Sequence, residues 1–539
     1  MRTPRDRARP AGGAGKNLNR REFLKLTGTG AVAATLGTQS SRWLKSVYAA
    51  TGPRKNLVVG LFGEPPQLNE FYRSDIVGGI VVGNIYNRLT RVNYKARKVD
   101  PELAESWTNP DPLTWIIKLR QGVQWHKGYG EFTAEDVEYT FNFILDKRTF
   151  QVGTALFPVE RTRALDKHTV EVKLHRPFTA LPTITMEYGG HIMCKRAHEE
   201  MGPERYGRNP IGTGPFQFDS WRPGTQIVLK KNPRYWKEGL PYLDEIAYRF
   251  LPDAQVRLAA LQKGEIDFMM SPDAKDVPSL REGKNPSIVY TSVPGWNWDY
   301  ISFTFPPYAS PDFPTQKKEV RQAIAYAVDR ETIAKEIYFG EALVTDSPIP
   351  PGYRGYRRGP LRYPRKADLT KARELMQRAG VSGFDVEVIT SDKEWLRRET
   401  ELVAGMLSQI GIRVRVNSMD IGTYNTRWLG HRYLTNLEDI TVVSPDTDST
   451  LFWFQREGTV GWHGWQNPEV TEMLDRARTV TSPTLREALY QKTVDAVLED
   501  CPYIYLVHVN LVRLYRKGLT GYVPGHQEFV VLFDKTRWA

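Results

Sequence analysis

Two segments of this 539-residue chain predict an α/β fold with mixed sheets. The first, Asn209 to Asp267, reads as a hairpin followed by a strand and a helix. The second, Leu369 to Val416, alternates helix, strand, helix, strand, an order that favours a parallel pair joined by a right-handed crossover. Length is the third observation, since 539 residues exceed one core and predict two or three domains.

In the first segment Phe216 and Phe218 face one side of a strand. Pro223 presets φ, and Gly224 supplies the positive φ of a type II turn. Ile246, Tyr248 and Phe250 alternate as a second strand should. Asp253 is placed to cap the following helix, and Gly264 sits where a left-handed residue ends it. Gly212-Thr213-Gly214 has neither the lysine nor the spacing of a phosphate loop and is a turn. Upstream, Leu57 to Phe62 is a buried strand that ends in the proline-stiffened loop Glu64-Pro65-Pro66-Gln67. Residues 90–207 look like a separate insertion, with a strand over Thr114–Leu119 and a helix that Thr133-Ala134-Glu135-Asp136 opens as a capping box.

In the second half, Val320, Ala323, Ile324, Ala327 and Val328 predict one helical stripe ended by Gly340. A helix over Leu369, Ala372, Leu375, Met376 and Ala379 stops at Gly380. Phe384, Val386 and Val388 mark a strand, Trp395 to Ile410 a helix, and Ile412, Val414 and Val416 the next strand. Helices over Pro468–Arg478 and Thr484–Glu499 lead to one apolar strand, Tyr503 to Val509.

Charge and motifs narrow the function classes. The net charge is +12, but residues 1–50 hold ten Lys/Arg against two Asp/Glu, so the remainder carries only +4. A nucleic-acid binder concentrates its charge on the folded part, and this chain does not. Cys194 and Cys501 allow at most one disulfide. His191, Cys194 and His198 are soft ligands at close spacing, but the spacing matches no common zinc pattern, and neither metal nor cofactor is expected. The common hydrolase and nucleotide motifs are missing, so no enzyme is predicted. The start of the chain reads as an address. Asn19-Arg20-Arg21-Glu22-Phe23-Leu24-Lys25 resembles a twin-arginine export signal, followed by a short apolar run and Val47-Tyr48-Ala49 as the cleavage site.

The Asn209–Asp267 segment also resembles the signature region of the family 5 extracytoplasmic solute-binding proteins of ABC importers, and the resemblance extends over roughly residues 55–539. It implies a periplasmic binding protein type II-like architecture of two hinged lobes with mixed sheets plus an inserted domain. The implied boundaries are 1–49 for the signal, 50–90, 207–294 and 506–539 for lobe I, 91–206 for the insertion and 295–505 for lobe II. It further implies a soluble periplasmic monomer that takes a peptide-class solute to a membrane permease, with no nucleic-acid partner.

Candidate ligand contacts come from aromatic density, 14 Trp and 26 Tyr. Exposed rings stack on peptide planes or sugar rings. The candidates are Trp296, Trp298, Tyr300, Tyr424, Trp428, Trp462 and Trp465, with Gln67 from the loop after the first strand and Asp446. Truncating Trp298 to Ala is expected to weaken binding and spare stability. Peptide-binding members of the family carry an aspartate that pairs with the peptide α-amine. Val442 or Val443 falls at that place, unless a shift of a few residues lets Asp439 or Asp446 serve. A missing carboxylate favours a neutral ligand such as an oligosaccharide, and family membership favours a peptide.

Overall fold

The first predicted strand, β1 (Asn56–Leu61), lies in the middle of a sheet, as a run apolar on nearly every position must. The computed structural model describes residues 54–69, 75–93, 98–147, 158–188, 190–351, 353–357, 359–441, 446–455 and 463–539. The export signal at residues 1–49, Val442, Val443 and Trp462 lie outside the described residues.

After β1 come a two-stranded ribbon, β2 (Thr90–Asn93) with β3 (Lys98–Pro101), and an antiparallel sheet. That sheet holds β4 (Ala104–Asp111), β5 (Thr114–Leu119), β6 (Val159–Asp166) and β7 (Thr169–Leu174) in the order β4-β5-β7-β6. The helix Ala134–Lys147 starts as its capping box predicts: the Thr133 amide donates to Asp136 Oδ2 at 3.0 Å. Asp136 also accepts from Trp125 Nε1 and from the Lys195 amide, which ties the start of the Lys195–Arg208 helix to the sheet. This sheet shares an apolar core with the first one, since Trp115, Ile117, Phe141 and Val172 join Leu57, Ile246 and Tyr248 in one cluster.

β8 (Phe216–Arg222) and β9 (Gln226–Lys231) form the hairpin, closed by Thr225 N–H donating to Arg222 O with Gly224 at φ +67°. β10 (Glu245–Phe250) runs antiparallel to β9 and parallel to β1. Asp253 accepts from the Val256 amide at 2.8 Å, and Gly264 ends the helix Ala254–Lys263 at φ +76°. β11 (Phe268–Met270) then pairs parallel with β1. A Cβ on Gly60 would stand 2.6 Å from Ile266 Cδ1, so Gly60 leaves room for that methyl group over β1.

β12 (Ile288–Pro294) ends the first sheet's run, and after only Gly295 and Trp296 the chain enters a second sheet as β13 (Asn297–Phe303). The single helix expected after Val320 is two. Lys318–Ala327 stops where Val328 turns extended, and Asp329 caps Arg330–Glu336 by accepting from the Thr332 amide. The break seats the fully buried Arg330 guanidinium on the carbonyls of Ala325, Val328 and Tyr505. A short strand, β14 (Ala342–Val344), follows.

β15 (Phe384–Ser391) and β16 (Ile412–Met419) are the predicted parallel pair, with Phe384 opposite Ile412. β17 (Thr435–Thr441) pairs parallel with β15 and antiparallel with β13. The Tyr503–Val509 run, expected as one strand, is divided at Leu506. β18 (Tyr503–Tyr505) completes the second sheet, order β16-β15-β17-β13-β18, and β19 (Val507–Arg516) returns to the first, order β12-β19-β11-β1-β10-β9-β8 with β14 on β19. Leu506 N–H donates to Asp299 O at 2.9 Å, and that bond turns the chain from one ladder to the other. β20 (Leu519–Thr520) and β21 (Arg537–Trp538) pair near the end. All of these sheets belong to one compact unit, Lys55–Ala539. Cys194 and Cys501 are both buried and free.

Candidate functional site

The chain passes directly from strand to strand between the two large sheets at Gly295–Trp296 and at Leu506, with longer connections on either side of β14, and the two direct passages touch. Gly295 N–H donates to Val509 O at 3.0 Å, and a Cβ on Gly295 would lie 2.4 Å from that oxygen. Trp296 packs here, edge-on to Tyr353 at 4.4 Å and stacked on His526 at 5.8 Å.

Alternation along β13 sends its side chains to two unlike faces. Asp299, Ile301 and Phe303 point to the helices, where Ile301 and Phe303 meet Ile324, Val403 and Leu407. Trp298, Tyr300 and Ser302 point the other way. Their cross-strand neighbours on β17 are Ile440, Glu438 and Asn436, and Tyr300 and Ser302 face Tyr505 and Tyr503 of β18. Tyr300 lies 5.2 Å from Tyr503, and Trp298 lies 6.2 Å from Tyr505.

A helix, Ile421–Leu429, caps this aromatic face, and Tyr424 and Trp428, four residues apart, stack on one side of it. Tyr424 Oη accepts from Asn436 Nδ2 at 2.8 Å, and Asn436 also bonds Ser302 Oγ. Trp428 continues to Trp453 and His463. His463 Nδ1 is 2.9 Å from Tyr433 Oη, and burial pulls its pKa down to about 3, so the ring is neutral at pH 7. Among the described residues the carboxyl on the face is Glu438. It accepts from the Ser391 amide and hydroxyl and lies 3.3 Å from Lys393 Nζ, and burial, then the nearby Asp439, pushes its pKa up to about 8.

On and beside this face Trp298 Nε1, Tyr505 Oη, Trp428 Nε1 and His463 Nε2 are buried with no hydrogen-bond partner among the described residues, and the first two stand on the sheet itself. Each such group costs about 1–3 kcal/mol until something bonds it. Aromatic walls with a few unused polar atoms suit a solute that brings its own acceptors.

The expected contacts divide accordingly. Trp298, Tyr300, Tyr424 and Trp428 come together on one face, and Trp296 lies at the passage between sheets. Trp465 donates from Nε1 to Asp500 and packs on Phe454 within the second core. Asp446 caps the helix Thr447–Leu451 and makes two 2.9 Å bonds to Arg486, so its carboxylate is already committed. Gln67 is half-buried against Gly207 of the Lys195–Arg208 helix. Trp298 is 4 % exposed, so truncation to Ala would cost about 3–5 kcal/mol, contrary to the expectation of unchanged stability.

Sequence reasoning missed Asn436, Glu438, Tyr503, Tyr505 and His463. The period-two spacing of the first four was a usable signal. The metal candidates form no common centre: Arg88 Nε bonds His191 Nε2 at 3.0 Å, and His198 Nδ1 lies 2.8 Å from Tyr139 Oη. Among the described residues no group of three or more potential ligands converges.

A sequence profile of the bacterial extracellular solute-binding proteins, family 5 Middle, matches residues 98–462. The chain is 29% identical over 506 residues to the glutathione-binding protein GsiB of Escherichia coli, covering 90% of this chain and 94% of that one. Two solved structures superpose on 90% of the chain. The periplasmic binding protein DppA from Helicobacter pylori, in complex with a peptide, does so at TM-score 0.75 and 25% identity over 98% of its length. The binding protein AgaA from A. tumefaciens, in complex with agropinic acid, does so at TM-score 0.77 and 27% identity over 99% of its length.

Proposed function

The chain belongs to the family 5 bacterial extracellular solute-binding proteins, and we propose that it captures a short peptide or peptide-like solute for an ABC importer. The observation that carries this is the buried aromatic face of β13, β17 and β18, beside both passages, with Trp298 Nε1 and Tyr505 Oη unused. Trp298 and Tyr300 supply stacking area, and the two free polar atoms supply direction. In this reading the solute leaves chemically unchanged, as membership of a family of binding proteins implies.

In this reading the two passages act as a hinge, with residues 295–505 as one lobe and residues 50–90, 207–294 and 506–539 as the other. Closure about Gly295 and Leu506 would bring the first sheet over the aromatic face and exclude water. The protein is exported to the periplasm as a monomer, by a twin-arginine signal at residues 1–49. Relatives named for glutathione and for a bound peptide support a peptide-class solute. An oligosaccharide is the second reading, favoured by the neutral His463 and the scarcity of charge on the face.

Native mass spectrometry of the protein isolated from its own cell envelope, with release of the bound solute, tests both. Masses spaced by amino-acid residues are expected. A ladder of hexose increments would replace the peptide reading with the sugar one, and any substrate turned over during incubation would end the capture reading.

A further inference from the structure

Behind the aromatic face, on the helix side of β13, Asp299 and Glu399 meet with no cation between them. Both are fully buried. Tyr338 Oη donates to Asp299 Oδ2 and stands 3.2 Å from Glu399 Oε2. Asp299 Oδ1 and Glu399 Oε1 find no N–H donor among the described residues, and the two carboxyl groups lie within hydrogen-bonding reach of each other. Tyr338 has a single hydroxyl proton. The contact between the two carboxyls therefore needs a proton of its own, because two carboxylates side by side in a dry site cannot both stay ionised.

The cation that acts on Asp299, Lys393, is already committed to other carboxyls. Asp439, opposite Asp299 on β17, adds a further negative charge. Lys393, just before the Glu394–Ser408 helix, is the nearest cation, and its ammonium is bonded to Glu438 and Asp439. Glu528, on the segment after β19, faces Asp439 and Lys393, with Arg513 of β19 beside it. Asp299 is also flanked by Trp298 and Tyr300, and its carbonyl holds Leu506 N–H at the second passage.

We propose that Asp299 and Glu399 share one proton, and that this shared proton positions β13, and with it the solute-binding face, at the passage between the sheets. Loss of the proton to solvent leaves two adjacent buried carboxylates, which separate and loosen β13 and Leu506. Burial raises both groups, Asp299 to about 7 and Glu399 well above the ordinary carboxyl range. The sign follows: stability from the pair is full at acid pH and declines as pH rises through about 7 and beyond. The link to solute binding rests on the capture reading, whereas the proton itself does not.

Wild type, Glu399→Gln and Asp299→Asn are compared as full chains without added solute. An infrared difference spectrum of wild type minus Glu399→Gln at neutral pH should show one buried protonated carboxyl band, the band of the raised Glu438 cancelling because both proteins carry it. Between about pH 6 and about pH 9, hydrogen exchange at amides 297–303 and 506, corrected for its intrinsic pH dependence, should quicken about tenfold in wild type and stay level in Glu399→Gln. A difference spectrum without that band, for Glu399→Gln and for Asp299→Asn alike, overturns the shared proton. Exchange that rises equally in wild type and Glu399→Gln overturns the positioning role. Asp299→Asn supplies the same two readouts if Glu399→Gln does not fold. Failure of glutathione to bind wild type would bear on the capture reading alone, because neither readout needs a solute.

Discussion

Among the buried carboxyl groups in the region of the second sheet, two pairs meet burial in opposite ways. Asp446 and Asp448, two residues apart, each face an arginine: Arg486 makes two bonds to the first, and Arg478 takes both oxygens of the second at 2.8 and 2.9 Å. Asp299 and Glu399, equally hidden, have only a tyrosine hydroxyl and each other. The first arrangement gives each carboxylate a guanidinium of its own and ties the Thr447–Leu451 helix to the helices that carry Arg478 and Arg486. The second keeps its geometry only while a proton is present. Beside the direct passages between the sheets, a titratable contact gives β13 a condition.

Breaking the arginine pair should have the largest effect. Arg478→Leu strands Asp448 in the core and should cost about 3–5 kcal/mol in urea denaturation. A loss below about 1 kcal/mol would show that Asp448 finds another partner or takes up a proton.

The pH profile of the whole chain sharpens the contrast. Asp299 and Glu438, raised to about 7 and about 8, contribute stability that is full below their unfolded values near 4 and fades as pH climbs through 7–8. His126, His463 and His508 are held by burial at about 4, about 3 and about 4, so their share is present above about 6.5 and fades on acidification. A melting temperature that peaks near neutral pH and falls on both sides is expected. A plateau through pH 9 would contradict the alkaline half.

A smaller change distinguishes ligand contact from packing. Trp298→Phe keeps most of the ring and deletes the unused N–H, so stability should move by less than about 1 kcal/mol. Retention of the co-purifying solute should fall several-fold by native mass spectrometry. Full retention would mean that Nε1 does not touch it. Smallest of all, Lys371→Ala removes an exposed contact to Glu374 and should leave the melting temperature unchanged, marking how little such surface pairs contribute beside the buried ones.

Much of this was legible locally. The Pro223-Gly224 turn, the Asp253 cap with Gly264, the Asp136 capping box and the β15–β16 parallel pair each depend on residues a few positions apart, and all appear where their chemistry predicts. The aromatic residues of β13 and of the Ile421–Leu429 helix were legible as candidates for the same reason. The misreadings have a common cause. Val328 and Leu506 look like the continuation of a helix and of a strand, yet the chain turns at both because Arg330 and Asp299 O make contacts with distant segments.

Local pattern along the chain therefore determined the element types, the caps and turns, and the presence of more than one core. Only the tertiary structure decided which sheet each half of Tyr503–Val509 joins, that Asp446 is spent on Arg486, and that Asp299 faces Glu399. Those outcomes turn on which distant groups meet away from water. Burial makes the meeting costly or favourable, and a sequence lists the groups without saying which of them will meet.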